Sequence, residues 1–198
     1  MHSNDCERAL REVIYKSLDV EYLVDSTQGW EECMSGISDL RIGYTLHLNN
    51  YYQTYLQPIS EKYFNLSVAI KNDRKVVAIW PLCVIKSEKG WRIGSNDGAI
   101  LSPIFLDETP QKTRKKLSSS CLDAVIGLAQ YLRIQKWEAL HDYLNNGVDY
   151  WYRIILEKGA EVSVFHSLFV DLSLGIDEIK SNFRKSYKPL ISKGLKLW

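Results

Sequence analysis

The chain has 198 residues, of which 45% are hydrophobic and 25% are charged, a composition typical of one globular domain. The net charge of +1 excludes a strong overall attraction to nucleic acid or to anionic membranes. No apolar run approaches the roughly 18–20 residues of a transmembrane helix, and the N-terminus has no apolar signal core, so we predict a cytoplasmic protein. The cysteines are scattered without a CxxC pair and predict neither disulfides nor a metal site: Cys6, Cys33, Cys83 and Cys121.

The N-terminal part of the chain predicts mainly helices. Residues 6–18 and 28–36 are predicted helices, the second with Thr27 as its cap, and residues 20–24 between them favour a strand. A third, aromatic-rich helix begins near Tyr44 and is ended or bent by Pro58. Its tyrosines recur at helical spacing, which indicates either a stripe facing the core or a groove for stacking on sugars or bases: Tyr44, Tyr51, Tyr52 and Tyr55.

The middle of the chain predicts an antiparallel meander of three strands. Residues 66–72 and 75–87 are β-rich runs joined by a turn at 72–74, and a second turn at 87–90 leads into a short strand over 91–95. A glycine-bearing loop follows at 95–98, and Pro110 stands near the start of a long helix over 110–133. The basic run of this helix is interpreted as a solvated surface: Lys112, Arg114, Lys115 and Lys116.

The remaining elements complete a layered fold. Residues 137–140 predict a strand, 147–159 a helix, 160–173 another strand, and 176–191 a basic helix followed at 195–198 by the opening of a strand. Together the elements predict an α/β (α+β) fold, with a mixed, largely antiparallel central sheet flanked by helices. We expect one domain over residues 1–175, and a segment over 176–198 that leads toward an absent second domain, so that this chain is a truncated piece.

Two polar clusters are candidates for a substrate site. Asn96 and Asp97 follow a strand end, where ligands often meet α/β sheets, and Asp97 could hold an acceptor amine or hydroxyl; the same pair is also typical of a plain turn. His141 follows the strand over 137–140 and could act as a general base, with Tyr143 beside it in the substrate site, or it could be a loop histidine without chemistry. No pair of histidines has zinc-ligand spacing, so we predict no metal.

The basic helix over 176–191 is a third candidate. Lys180, Arg184 and Lys188 follow i, i+4, i+8 spacing and share a face. They could bind the phosphates of a nucleotide-linked precursor or of tRNA, lie against anionic lipid headgroups, or be solvated or in contact with another domain. Arg184 is favoured among them because a planar guanidinium binds phosphate or carboxylate through two hydrogen bonds.

The order of these elements resembles that of the first domain of FemAB-like acyltransferases, which carry two GNAT-type (N-acetyltransferase-like) domains in tandem. The resemblance rests on the aromatic-rich helix, the hairpin with VVAIWPL, the glycine-bearing loop, SPIF and the long helix, and it covers roughly residues 40–198. The basic segment FRKSYK and the following KGL resemble the stretch that leads into the second domain of that family. The resemblance implies a GNAT-like fold.

The resemblance also implies an N-acyltransferase. Such an enzyme moves an acyl or aminoacyl group from acyl-CoA or aminoacyl-tRNA onto an amine of a cell-wall precursor, an amino sugar or a similar small molecule, free or linked to a nucleotide or lipid. In the family the second domain carries much of the donor site. The resemblance therefore implies an acceptor-side domain that is inactive alone, binds no cofactor itself, and works with a second GNAT-like domain in cis or in trans, with tRNA as a further partner.

The sequence lacks the usual acyl-CoA signature of GNAT domains, Q/R-x-x-G-x-G/A, whose backbone N–H groups at a helix N-terminus hold the pyrophosphate. The nearest stretch, residues 92–98, has a different spacing and precedes a loop. A non-catalytic, stand-alone binding or interaction module is therefore the alternative function. An RNA binder that uses the basic helix is a third hypothesis, which the nearly neutral net charge disfavours.

Overall fold

The computed structural model describes residues 3–140, 149–163 and 175–182, together with Pro189 and Lys193. The chain divides into two compact units, Met1–Ala160 and Glu161–Trp198. The first unit confirms the predicted α/β (α+β) class, because two antiparallel sheets are flanked by helices. The GNAT-like character of the fold stays a prediction.

The helices lie close to their predicted positions. In the first unit they are α1 Ser3–Tyr15, α2 Gln28–Ser35, α3 Leu46–Leu56, α4 Gln111–Leu132 and α5 Tyr150–Glu157, with a short 3-10 turn at Ile42–Tyr44. Side-chain caps begin two of them: Thr45 Oγ1 accepts the N–H of Leu48, and Asp149 Oδ1 accepts the N–H of Tyr152. Gly159 follows α5 with a φ of 86°, a left-handed conformation that glycine adopts without strain.

The strands form two sheets. They are β1 Val20–Tyr22, β2 Lys62–Asn65, β3 Val68–Asn72, β4 Lys75–Trp80, β5 Cys83–Ser87, β6 Gly90–Gly94 and β7 Ile104–Phe105. The first sheet has the order β1-β3-β4-β7 and the second the order β2-β5-β6, with antiparallel pairs throughout. The predicted turn between β3 and β4 is confirmed, since Asp73 and Arg74 take φ angles of 51° and 66°, as tight hairpin turns require.

The run over 75–87 differs from its prediction as one continuous strand. It divides at Pro81, which has no N–H to donate to a ladder, into β4 of the first sheet and β5 of the second. The facing run divides at the same level, because Val68 pairs with Trp80 in the first sheet and Asn65 pairs with Cys83 in the second. The predicted meander is therefore a long ribbon that crosses from one sheet to the other.

The first sheet is covered on both faces. Alternate residues of β3 and β4, including Ile70 and Trp80, belong to the main core, which α1, α4 and α5 also line. The residues between them, Ala69 and Ile79, belong to a second core, in which Trp30 of α2 is fully buried. This period of two is the expected consequence of strand geometry, and it accounts for the continuous apolar runs of both strands.

Three later predictions fare differently. The predicted strand over 137–140 is reduced to a single parallel bridge between Ile100 and Ala139. In the second unit, α6 spans Ile176–Asn182 and confirms the beginning of the predicted basic helix. Most of that helix, the opening strand at 195–198 and residues 164–173 of the predicted strand lie outside the described residues. The predicted boundary at residue 175 stays a prediction.

A cleft of arginines and aromatic rings as a candidate binding site

The Asn96–Asp97 cluster forms a turn. The N–H of Gly98 donates to the carbonyl of Ser95 at 3.0 Å, and Asn96 takes a left-handed φ of 55°. Asp97 Oδ1 lies 2.8 Å from Nη2 of Arg92 in an exposed ion pair. Asn96 has a structural task, because its Nδ2 donates to the carbonyl of Gly43 at 3.1 Å. These contacts favour the turn interpretation of the cluster. The hydrogen bond from Asn96 to Gly43 also anchors the turn to the segment that carries Tyr44.

The other predicted site residues are not brought together by the described structure. His141, Tyr143, Arg184 and Lys188 lie outside the described residues, and Lys180 is known only as a backbone position in α6. The tyrosine stripe divides: Tyr44 is buried, whereas Tyr51 and Tyr55 are exposed and stack on each other with ring centroids 6.1 Å apart. The roles assigned to His141, Tyr143 and the basic helix therefore stay predictions.

An open cleft of about 520 Å³ in the first unit is the best candidate site, and the sequence analysis did not identify it. Its volume lies within the usual range of small-molecule sites. Its lining comes from the segment before α3, from β7 and its flanks, and from the first turns of α4 and α5. The polar and aromatic lining residues are Asp39, Arg41, Tyr44, Ser102, Phe105, Asp107, Gln111, Arg114, Ser118, Asp149, Tyr150, Trp151 and Arg153.

One wall of the cleft is fixed by Tyr44. Its hydroxyl donates to the carbonyl of Ser102 at 2.7 Å, and its own carbonyl accepts the indole N–H of Trp30 at 2.9 Å. Burial raises the pKa of the Tyr44 hydroxyl above its ordinary value, and burial likewise raises the pKa of Tyr152. Both phenols therefore stay protonated at neutral pH. On the same wall, Arg41 Nη2 lies 3.6 Å from Asp39 Oδ2.

A second wall is fixed by Arg114 on α4. Its guanidinium donates to the carbonyls of Thr109, Leu106 and Asp107, each at 2.8 Å. The carboxylate of Asp107 in turn accepts the N–H of Ser38 at 3.1 Å, which ties the segment before α3 to the segment before α4. Arg114 and Asp107 thus hold loops in place while their charges remain at the cleft.

The floor of the cleft includes Trp151 of α5. Its indole is 1% exposed and meets the ring of Trp80 edge-on at 5.7 Å. The two indoles differ in hydrogen bonding: Trp80 Nε1 donates to the carbonyl of Leu101 at 2.8 Å, whereas Trp151 Nε1 has no acceptor among the described residues. A buried donor without an acceptor is uncommon in proteins, so the unpaired N–H of Trp151 in this cleft needs an explanation.

Two cations meet the ring of Tyr150 at the mouth of the cleft: Arg153 lines the cleft, and Lys115 adjoins it through that ring. Lys115 Nζ of α4 and the guanidinium of Arg153 of α5 each lie 5.7 Å from the centroid of the Tyr150 ring. Within the described part of the chain, neither cation has a carboxylate within salt-bridge distance. Asp149 and Glu157 each stand four residues from Arg153 along the chain; Asp149 caps α5 by accepting the N–H of Tyr152, and no ion pair joins Glu157 to Arg153. The mouth therefore holds positive charge that the described side chains do not pair.

A second groove lies beside α2 and the β3–β4 hairpin. Lys71 and Glu21 form an ion pair there, with Nζ and Oε2 2.9 Å apart. Hydrogen bonds from Lys71 and Ser26 lower the pKa of Glu21. Burial raises the pKa of the Cys33 thiol to about 12, so this groove offers no thiolate at neutral pH. In contrast to the cleft, its described lining includes no aromatic side chain.

Neither a metal site nor a membrane-spanning helix is found among the described residues. Among them, no group of histidine, cysteine, aspartate or glutamate side chains could hold a metal ion. In the same part of the chain, no helix combines the length and apolarity needed to cross a membrane.

Comparison of the chain with protein-family models, with curated proteins and with solved structures gave no match. The function must therefore be argued from the cleft itself. Two stretches of the sequence, taken together, could have pointed to the cleft. They are the basic first turns of α4, which run against the helix dipole, and the aromatic and basic residues over 150–153. Their convergence depends on how α4 packs against α5, which sequence periodicity does not reveal.

Proposed function

We propose that this chain is the acceptor-side domain of a FemAB-like N-acyltransferase, and that the cleft binds the small amine-bearing acceptor. The observation that carries the proposal is the cleft of about 520 Å³, whose lining combines carboxylates, guanidinium groups and aromatic rings. Carboxylates suit an ammonium group, and rings suit the apolar face of a sugar or a similar compound. Asp39 is the best candidate for the amine, since its side chain is 76% exposed.

The proposed chemistry is acyl transfer to nitrogen. The amine nitrogen attacks the carbonyl carbon of a thioester or of an aminoacyl ester, a C–N bond forms, and the C–S or C–O bond breaks. The amine loses a proton to a base or to water, and the leaving thiolate or alkoxide gains one. In the proposal this chain holds the acceptor, and the donor binds to a second GNAT-like domain in cis or in trans, with acyl-CoA or aminoacyl-tRNA as the donor.

A stand-alone binding module is the second candidate function. The observation that favours it is that Asp107, Asp149 and Arg114 use hydrogen-bonding capacity to hold the backbone around the cleft. Such an arrangement shapes a binding site without supplying chemistry. Both candidate functions require the cleft to bind a small molecule. A measurement of acyl transfer, with a donor and a donor-binding domain present, distinguishes one function from the other.

The binding test uses the 198-residue chain and two matched pairs of probes, glucosamine with glucose and L-lysine with norleucine. Binding is followed by tryptophan fluorescence, since Trp151 lines the cleft. We expect saturable binding of an amine probe and several-fold weaker binding of its partner, which lacks the 2-amino group of glucosamine or the ε-amino group of lysine. Asp39→Asn should reduce the preference, whereas Glu88→Gln, an exposed residue of the β5–β6 turn, should not. If neither pair shows a preference for the amine, the proposal is wrong.

A further inference from the structure

We propose that Lys115, Tyr150 and Arg153 form a phosphate-binding edge of the cleft, so that the ligand is a phosphorylated compound. The identification of that compound as an amine rests on the proposed function. The phosphate itself is inferred from the charges and contacts at this edge. We refer to these three residues as the phosphate edge.

Two cations converge on one ring at this edge. Lys115 Nζ and the Arg153 guanidinium come from different helices, yet each lies 5.7 Å from the centroid of Tyr150. The aromatic ring attracts both cations, but each such contact at an exposed site contributes only about 0.5–1 kcal/mol. Two like charges that share a ring also repel each other. A bound anion that both cations attract would offset this repulsion.

Several polar groups of the cleft already form hydrogen bonds within the fold. Asp107 and Asp149 each accept a backbone N–H, and Arg114 donates to backbone carbonyls, so these groups are committed to the fold. Within the described residues Arg153 and Lys115 have no ion pair or side-chain hydrogen bond, and each meets the ring of Tyr150. The uncommitted groups at this edge are thus donors with positive charge. A complementary ligand group must be rich in acceptors and negatively charged.

Lys115 and Arg153 together carry two positive charges. One carboxylate would balance one of the two cations, whereas a phosphate monoester carries close to two negative charges at neutral pH. The guanidinium of Arg153 can bind two phosphate oxygens at once, and Lys115 can act as a point charge beside it. The first backbone N–H groups of α4 add a partial positive charge at its N-terminal end. No described side chain caps them, because Pro110 stands at the cap position. The edge therefore matches a phosphate better than a carboxylate.

The experiment measures binding of glucosamine 6-phosphate, glucosamine and inorganic phosphate to the 198-residue chain by calorimetry at constant ionic strength. We expect glucosamine 6-phosphate to bind at least about tenfold more tightly than glucosamine. Arg153→Gln and Lys115→Gln should each reduce this preference several-fold, and inorganic phosphate should bind detectably only where both cations are present. Lys116→Gln, the exposed neighbouring lysine on α4, is the matched control and should change nothing.

The outcomes separate this inference from the proposed function. If glucosamine binds and its phosphate adds no affinity, or if the added affinity survives in the Arg153→Gln, Lys115→Gln double variant, the phosphate edge is wrong and the acceptor proposal stands. If inorganic phosphate binds and is lost in the double variant while no amine probe is preferred, the phosphate edge stands and the acceptor proposal is wrong. If none of the three probes binds, the phosphate edge is wrong.

Discussion

Two polar clusters of the first unit use hydrogen bonds in opposite ways. The first, which we call the amide network, consists of Asn49, Gln53, Asn65 and Ser67 at the junction of the two sheets. The second is the phosphate edge of Lys115, Tyr150 and Arg153. Asn49, Asn65 and Ser67 are buried and the network's side chains pair with one another, whereas the two cations of the edge are exposed and have no acid partner among the described residues.

The amide network shows what a structural polar cluster looks like here. Asn65 Nδ2 donates to Asn49 Oδ1 at 2.8 Å and to Gln53 Oε1 at 3.0 Å, and Asn49 Nδ2 donates to Ser67 Oγ at 2.9 Å. Ser67 Oγ also accepts the N–H of Leu82 at 3.2 Å, where the ribbon crosses between the sheets. Such a network fixes the crossing and leaves nothing for a ligand. The comparison suggests that unpaired donors, more than polarity itself, mark the binding region.

The largest expected effect tests the network side of the comparison. Asn49→Ala removes the acceptor of Asn65 and the donor to Ser67, and we expect it to lower the free energy of unfolding by about 1–3 kcal/mol. Asn50→Ala is the matched control, since Asn50 is exposed on the same helix and the gain in helix propensity is the same. Urea unfolding measures both variants. Equal stabilities for the two variants would contradict a structural role for the network.

Two tryptophans of the main core, Trp80 and Trp151, provide the next test, because they differ in hydrogen bonding at similar burial. Trp80→Phe and Trp151→Phe remove the same atoms, but only the first leaves a carbonyl, that of Leu101, without its donor. We expect Trp80→Phe to cost about 1 kcal/mol more than Trp151→Phe in thermal or urea unfolding. A larger cost for Trp151→Phe would mean that its N–H is paired within the protein, and it would remove Trp151 from the set of uncommitted donors.

The ion pair of Glu21 and Lys71 gives the scale of a half-buried polar contact near the surface. The pKa of Glu21 is lowered in the folded state, so its contribution is present above the pKa of the unfolded chain and is lost as the pH falls through the lowered value. Glu21→Gln should therefore cost about 0.5 kcal/mol at pH 7, and this cost should shrink as the pH falls below the ordinary carboxyl value of 4.5. Unfolding curves of the variant and the parent chain at pH 7 and at successively lower pH values measure this. A cost that does not shrink on acidification would contradict an electrostatic origin.

The smallest expected effect on stability belongs to the phosphate edge. Arg153→Gln should change the free energy of unfolding by less than about 0.5 kcal/mol, since the residue is exposed and its described contact is one aromatic ring. A loss as large as that of Asn49→Ala, measured under the same urea conditions, would show that Arg153 belongs to the fold and would abolish the contrast between the two clusters.

The fold was largely predictable because its elements depend on local signals. Neighbouring residues are enough to indicate three of these features: the helical period of α4, the turn at Asp73 and Arg74, and the glycine that follows α5. The division of the run over 75–87 was missed, although Pro81 is visible in the sequence, because β4 and β5 are both buried and their apolar residues are continuous.

The candidate site was far less predictable. Asn96 and Asp97 satisfy the composition of a ligand loop and of a turn equally well, and the ion pair of Asp97 with Arg92 arises from the folded hairpin. The cleft brings residues near position 40 together with residues near 105, 114 and 150, and no local pattern encodes such distances. Lys115 was interpreted as a solvated residue, and its approach to Tyr150 follows from the packing of α4 against α5.

The most direct test of the account is a titration of the ¹⁵N-labelled chain with glucosamine 6-phosphate, followed by amide chemical shifts. The account predicts saturable shifts at Lys115 and at residues 150–153, together with shifts near Asp39, and their loss at the phosphate edge when Arg153 and Lys115 are replaced by glutamine. Shifts confined to the basic hairpin turn at Arg74 and Lys75, or to no region at all, would contradict the assignment of the cleft as the binding site.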